Sequence, residues 1–259
     1  MEHAVRERVS ETEWALRVEL AAAYRVFAML GWTHLVHTHI TVNVPGDREQ
    51  YLINPLGFLW DEITASSLIK VDAAGKILDQ GCTDCPINPA GFAIHSAIHT
   101  SPRALEWVMH IHVPEVAAVA SLKQGLIRGL SVPAMDLGDI SYHDFEHAAS
   151  GSDVCQRMVD DLGPINRVLL LRNHGAVTVG NTVHEAFYLT YQLVEACRVQ
   201  VMTQSAVGSH SDYTVVPDQT VAQNYEIVQN NYTGEPFGKL EWEAIKRKME
   251  AERGPGYQA

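Results

Sequence analysis

Three histidines carry the clearest chemistry in this chain. In the run Val108-Met109-His110-Ile111-His112-Val113, composition predicts a buried strand from Leu105 to His112. Successive strand side chains point to opposite faces. His110 and His112 then share one face, about 7 Å apart at their Cα atoms, and Met109, Ile111 and Val113 turn into the core. Such a pair either chelates a metal ion or forms two hydrogen-bonded core histidines. A third imidazole, His174, follows a second apolar run, Val168 to Leu171, within Arg172-Asn173-His174-Gly175. Gly175 is expected to supply a backbone conformation closed to other residues, which aims His174 inward. Three neutral imidazoles leave a divalent ion its full charge and open coordination positions, as in a Lewis-acid centre. The expected cofactor is one divalent ion per subunit: zinc, iron or manganese, since imidazole serves all three.

Most of the other ten of the 13 histidines are clustered as well. His39 falls at a loop-to-strand turn and either lines a pocket or satisfies a backbone carbonyl. His95 and His99 are four residues apart, on one helical face, as a second metal pair or as packing residues. Tyr142 and His143 sit in a predicted loop, with proton transfer or structural hydrogen bonding as the alternatives. Cys82 and Cys85 form a lone C-x-x-C in a Gly/Pro-rich loop, either redox-active, metal-completing or incidental.

These residues need a frame. Ser10-Glu11-Thr12-Glu13 reads as a capping box, with Glu13 reaching back to the Ser10 backbone. Apolar residues then recur at helical spacing from Trp14 to Leu30, and Gly31 ends the helix. Ile40 to Val44 and Tyr51 to Ile53 read as a hairpin, as do Leu68 to Asp72 and Lys76 to Leu78. Ala90 to His99 is helical, and Ser101-Pro102 stops it. Glu115 to Leu122 reads as a short helix. Val168 to Arg172 and Ala176 to Val179 read as strand around the break at His174, and Thr182 to Met202 as a long helix. The composition turns polar from Ser205. The expected organisation is therefore a domain over 1–204 and a helical tail over 205–259 that packs on the body or on a neighbouring subunit, with helices at Asn224 to Asn231 and Lys239 to Arg253. Tyr213, Tyr225 and Tyr232 of that tail are within possible reach of a pocket. Hairpins mixed with helices imply an α/β fold with a largely antiparallel central sheet flanked by helices on both sides.

Composition removes several function classes. The chain has 259 residues, 46% of them hydrophobic, enough for a large core. Its formal net charge of −12 and its lack of Lys/Arg-rich runs oppose nucleic-acid and anionic membrane partners. No signal peptide or membrane-spanning run is legible, and the four cysteines make no disulfide framework. A cytoplasmic protein is expected. Neither G-x-G-x-x-G nor G-x-x-x-x-G-K-[ST] occurs, so nucleotide binding lacks its usual support.

Longer phrases are more specific. LGWTHLVHTHITVNVPG, YLINPLGFLWDEITASSLIKVDAAGKILDQG, NPAGFAIHSAIH, HIHVPEVAAVASLKQGL and LLLRNHGAVTVGNTVHEAF resemble the class II aldolase/adducin family, from about Trp14 to Gln204. The resemblance implies a helix-flanked sheet, a C4-symmetric homotetramer with sites at subunit interfaces, and a divalent metal held at His110, His112 and His174. It also implies a small-molecule substrate. The departures are as informative. The family's sugar-phosphate aldolases carry Ser-Ser-Glu, whose Glu is a metal ligand and acid/base; here the matching stretch is Pro89-Ala90-Gly91. Thr38-His39-Ile40-Thr41 replaces the Gly-Asn-x-Ser loop, and Leu56-Gly57 stands where Ser-Gly would bind phosphate. The phrases NPxGF and TASSL look most like the adducin branch.

The expected function is a metal-dependent carbon–carbon lyase, decarboxylase or aldolase in type, acting on an unphosphorylated carbonyl or carboxylic molecule. Its substrate would meet Asn54, Gly57, Gly91 and His95. His39, His95 and Tyr142 are candidates to replace the missing carboxylate base, with His39 and Tyr142 as the catalytic assignments. Decarboxylation demands least, because carbon dioxide leaves without a proton being taken from the substrate. The alternatives are a nonheme iron oxygenase with a three-His site and a non-catalytic interaction domain like the adducin head.

Overall fold

The two N-terminal hairpins form as their alternation dictates, and the central sheet grows from them. A computed structural model of the protein describes residues 2–46, 49–103, 105–146, 152–207, 212–230 and 234–259. Helices α1 (Glu2–Arg8) and α2 (Glu11–Met29) lead into hairpin β1 (His39–Asn43) and β2 (Gln50–Ile53), then hairpin β3 (Ile69–Asp72) and β4 (Ile77–Asp79). Next come α3 (Pro89–Thr100), β5 (Trp107–Ile111), α4 (Pro114–Ala120), α5 (Val132–Met135) and β6 (Ile140–His143). The chain continues through α6 (Ser152–Leu162), β7 (Val168–Leu171), β8 (Gly175–Gly180), α7 (Val183–Val207), α8 (Asp218–Gln229) and α9 (Lys239–Arg253).

The eight strands make one sheet in the order β4-β3-β2-β1-β5-β8-β7-β6. All pairings are antiparallel except β6 with β7. Helices cover both faces, as expected from the sequence. On one face Trp107, Met109 and Ile111 of β5 join a core with α2, α4, α7 and α9. On the other, Val108 packs with Ile94 and Ile98 of α3 and with Met158 and Leu162 of α6. The period of two along β5 therefore places His110 on the α3/α6 side, away from Met109 and Ile111.

Several elements depart from the sequence expectations. Ser10 caps α2 by accepting the Glu13 N–H at 3.1 Å, but Glu13 does not reach back. Its carboxylate instead meets Arg17 at 3.0 Å and Lys70 at 2.9 Å. Arg17 is fully buried, and it also donates to the Leu68 carbonyl at 2.7 Å. A buried cation is held by multiple acceptors of this kind. The segment from Gly138 to Asp144, expected to be a loop, includes β6. Parallel pairing along β7 recruits it, and no local pattern encodes such a pairing. The tail helix expected to start at Asn224 is the second half of α8, Asp218–Gln229, and Asn231, its expected end, lies outside the described residues.

The C-terminal residues belong to the main core. Trp242, Met249 and Tyr257 are buried in it, and the Trp242 indole packs 5.2 Å from Phe187 between ring centroids. Trp242 Nε1 donates to Glu19, while the Ala65 and Ser66 amides donate to the carbonyls of Tyr257 and Ala259. No described helix is long and apolar enough to cross a membrane. Trp242→Ala is expected to lower unfolding stability by about 3–5 kcal/mol in urea titrations. Leu240→Ala, on the same helix but 44% exposed, should stay within about 0.5 kcal/mol.

Candidate metal centre

Three backbone features bring the imidazoles together. His110 sits in β5, held between β1 and β8. His112 follows just past the strand end, before Pro114 starts α4. His174 occupies the turn joining β7 to β8, where Leu171 pairs with Gly175. One nitrogen from each of the three lies within 4.8 Å of the others. His110 Nε2 and His112 Nε2 are only 2.7 Å apart, and the His174 ring lies 5.0 Å and 4.6 Å from theirs.

The expected role of Gly175 is corrected. The left-handed residue of the turn is Asn173, at φ 57°, and Gly175 has no positive φ. Close approach is what requires glycine there: a Cβ on Gly175 would lie 2.2 Å from the Ile111 carbonyl oxygen and 3.1 Å from the His112 ring. Gly175 thus lets the β7–β8 hairpin press against β5 until His174 reaches His112.

Neighbours orient these rings. His110 Nδ1 donates to the Ala176 carbonyl at 3.0 Å, which leaves Nε2 with its lone pair turned to the cluster. His112 Nδ1 meets His34 Nδ1 at 3.0 Å. Burial, then repulsion from the neighbouring imidazoles, holds His110 well below its ordinary pKa and His112 at about 4. Burial lowers His174 as well. Metal binding requires neutral imidazoles, so the donor set fits a divalent ion bound through nitrogen. His34 was legible only as a member of a histidine-rich phrase, because its partnership with His112 spans the chain.

The three rings open on a cavity of about 310 Å³ that His39, Gly91, His143, Asp144, Glu146 and Arg172 also line. A larger groove of about 760 Å³ beside Phe92, Thr100 and Cys155 has no comparable convergence of imidazoles. His39 stands opposite His110 in the β1–β5 register, with ring centroids 5.1 Å apart. Its Nδ1 bonds His95 Nε2 at 2.8 Å, so His95 lies behind the wall and not in it. Burial drops the His39 pKa to about 3. A Cβ on Gly91 would stand 1.9 Å from His39 Nε2, so the imidazole fills the space that a side chain at 91 would take.

Three other expected site residues lie elsewhere. Tyr142 points to the opposite face of β6, its hydroxyl accepting the Leu126 N–H at 3.0 Å, with the Arg172 guanidinium 4.2 Å above its ring. Strand alternation sends its neighbour His143 to the cavity instead. There Asp161 fixes His143 Nδ1 at 2.7 Å, and the buried Nε2 has no hydrogen-bond partner. Asn54 Oδ1 accepts from the Tyr24 hydroxyl at 2.9 Å and is not in the cavity wall. Gly57, at φ 105°, faces open space. Cys82 and Cys85 line no part of this cavity. Tyr232 falls outside the described residues.

Comparison with known proteins agrees with this architecture. Residues 18–201 match the model of the family described as Class II Aldolase and Adducin N-terminal domain. The chain is 38% identical to alpha-adducin of Mus musculus over 245 residues, covering 92% of this chain and 33% of the adducin. It thus spans about a third of the length of that relative. The crystal structure of an aldolase II superfamily protein from Pseudomonas syringae superposes with TM-score 0.91 at 39% identity, covering 99% of this chain and 100% of that one. An L-fuculose 1-phosphate aldolase from Glaciozyma antarctica PI12 gives TM-score 0.82 at 25% identity, covering 96% and 93%.

Two outcomes follow from the geometry. Gly91→Ala should evict the His39 ring and cost about 1–3 kcal/mol through the broken buried hydrogen bond. In a His39→Ala background the same change should cost far less, and additive losses in urea titrations would contradict the contact. The second concerns acid. His39 and His99, with pKa values of about 3 and about 4 against an ordinary 6.5, take up protons only when unfolded. Stability of metal-free protein is then full above pH 6.5. It falls as pH drops towards 4, by about 1.4 kcal/mol per pH unit for each such group. Equal urea midpoints at pH 7 and pH 5 would contradict this.

Proposed function

The chain belongs to the class II aldolase and adducin N-terminal domain family, and from that premise we propose that it is a metal-dependent carbon–carbon lyase. The proposed substrate is an unphosphorylated carbonyl or carboxylic small molecule. The observation that carries this reading is the convergence of His110, His112 and His174 on one wall of an open cavity. A divalent ion held there by His110, His112 and His174, zinc, iron or manganese, would supply Lewis acidity towards a carbonyl oxygen next to the bond that breaks.

The chain's own residues narrow the chemistry. Gly91 offers no carboxylate, and Tyr142 faces the other side of the sheet. His39, in the cavity wall with its ring centroid 5.1 Å from that of His110, is the acceptor we assign to a substrate hydroxyl proton in an aldol cleavage. Decarboxylation needs no such step before carbon dioxide leaves, which makes it the reaction best matched to this wall. Phosphate is disfavoured by charge. Arg172 is the only Lys or Arg among the described lining residues, and its guanidinium donates to the Ala120 and Leu122 carbonyls. Asp144 also lines the cavity and repels a dianion, while Glu146 is paired with Arg157. A homotetramer, a cytoplasmic location and a body at 1–204 braced by 205–259 are parts of the same proposal.

The 38% identity to mouse alpha-adducin favours a second reading, a non-catalytic interaction domain. Metal analysis separates the two. Protein purified without chelators is expected to carry about one divalent ion per chain, and His110→Ala, His112→Ala and His174→Ala should each lose it while circular dichroism is unchanged. Stoichiometric metal in His110→Ala would sink the assignment. Wild-type protein without metal would support the interaction domain, and iron with an oxygen-sensitive spectrum would support an oxygenase.

A further inference from the structure

We propose that the buried chain His39–His95–Thr41–His99 locks the His39 imidazole with its Nε2 lone pair facing the cavity. The site then selects a metal-chelating ligand that presents a hydroxyl donor to that atom. The ligand half of this rests on the metal-centre reading above; the locked tautomer does not.

The direction of the chain is set at its far end. The Leu105 carbonyl can only accept, and His99 Nδ1 lies 2.8 Å from it, so His99 carries its hydrogen on Nδ1. A neutral imidazole with Nδ1–H has only a lone pair on Nε2. Thr41 Oγ1 is 2.7 Å from that nitrogen, so the hydroxyl spends its single hydrogen there. Thr41 Oγ1 can then only accept, and it does so from His95 Nδ1 at 2.6 Å. His95 Nε2 is left as an acceptor and receives the His39 Nδ1 hydrogen at 2.8 Å. His39 Nε2 ends the chain with a lone pair.

Nothing along the chain reverses this order. All four residues are buried, no carboxylate hydrogen-bonds any of them among the described residues, and His99 is stacked on Tyr51 at 4.6 Å between centroids. Register supplies the placement. Thr41 lies two residues after His39 on the same face of β1, and His95 and His99 stack one turn apart on α3 above them. Gly91, one turn before His95, leaves the space that the His39 ring occupies. His39 Nε2 therefore reaches the wall of the cavity that holds His110, His112 and His174. A ligand hydroxyl satisfies this lone pair, whereas an ether oxygen leaves two acceptors facing each other at the cost of an unmade hydrogen bond. Thr41, His95 and His99 are positioning residues in this arrangement.

Nitrogen-15 histidine spectra test the locked tautomer with or without metal. The expected result is Nδ1–H on His39, His95 and His99, and His39 with Nε2–H would overturn the proposal. Thr41→Val, close in shape, should release His39 and His95 into tautomer mixtures, while Thr41→Ser keeps the wild-type pattern; an unchanged Thr41→Val spectrum would also overturn it. For the ligand half, glycolate and methoxyacetate are compared on zinc-loaded protein by calorimetry. Glycolate should bind about tenfold more tightly or better, with the preference lost in Thr41→Val and restored in Thr41→Ser. Equal affinities overturn the ligand half alone. Failure to bind zinc overturns the metal-centre reading and the ligand half with it, while the nitrogen-15 pattern still decides the tautomer.

Discussion

Imidazoles crowd the α3/α6 face of the sheet beside β1 and β5, and burying them neutral is the constraint to which the surrounding elements answer. A buried polar ring costs free energy unless its nitrogens are bonded. His99 is tied to a backbone carbonyl, Thr41 links His99 to His95, and His95 holds His39. His110 is tied to the Ala176 carbonyl and His112 to His34. Each tie crosses from one element to another, so β1, β5, β8 and α3 cannot shift independently. The same ties choose which nitrogen of each ring faces the cavity.

The opposite face makes this polar cluster tolerable. Met109 and Ile111 alternate with His110 along β5 and anchor the strand in the apolar core under α2, α4, α7 and α9. Trp242, Met249 and Tyr257 close that core from the far end of the chain. Burial of large apolar side chains there offsets the cost of imidazoles on the other side. The strand is thereby anchored where it brings the Nε2 atoms of His110 and of His112, just past its end, to 2.7 Å.

Two glycines shape the chemistry by what they leave out. Gly175 lets the β7–β8 hairpin touch β5, which delivers His174. Gly91 removes the position from which a carboxylate would project and gives its space to His39. The missing side chain at 91 and the buried position of the His39 ring are thus coupled through one contact.

The His110–His112–His174 trio was legible in the sequence because its parts are local: H-x-H on an apolar strand has a period of two, and the R-N-H-G phrase marks a break after a second apolar run. Helix and hairpin positions followed from the same short-range patterns, and long family phrases added the fold. Tyr142 and His143 show where that reading stops. Both are plausible acid/base groups, and only the parallel pairing of β6 with β7 decided that His143 turns to the cavity and Tyr142 to the core. Asn54 and Gly57 lie inside one of the family phrases, yet Asn54 is hydrogen-bonded to Tyr24 and Gly57 faces open space, both outside the cavity wall. Glu13, expected to reach back to the Ser10 backbone, is drawn instead to Arg17 and to Lys70 of β3, partners that only the packing of α2 on the sheet supplies. The sequence by itself determined which residues could ligate and which element would carry each, since both depend on spacing of a few residues. Tertiary structure alone decided which rings meet and which nitrogen each one offers, because those depend on strand register and on hydrogen bonds between residues up to 78 positions apart.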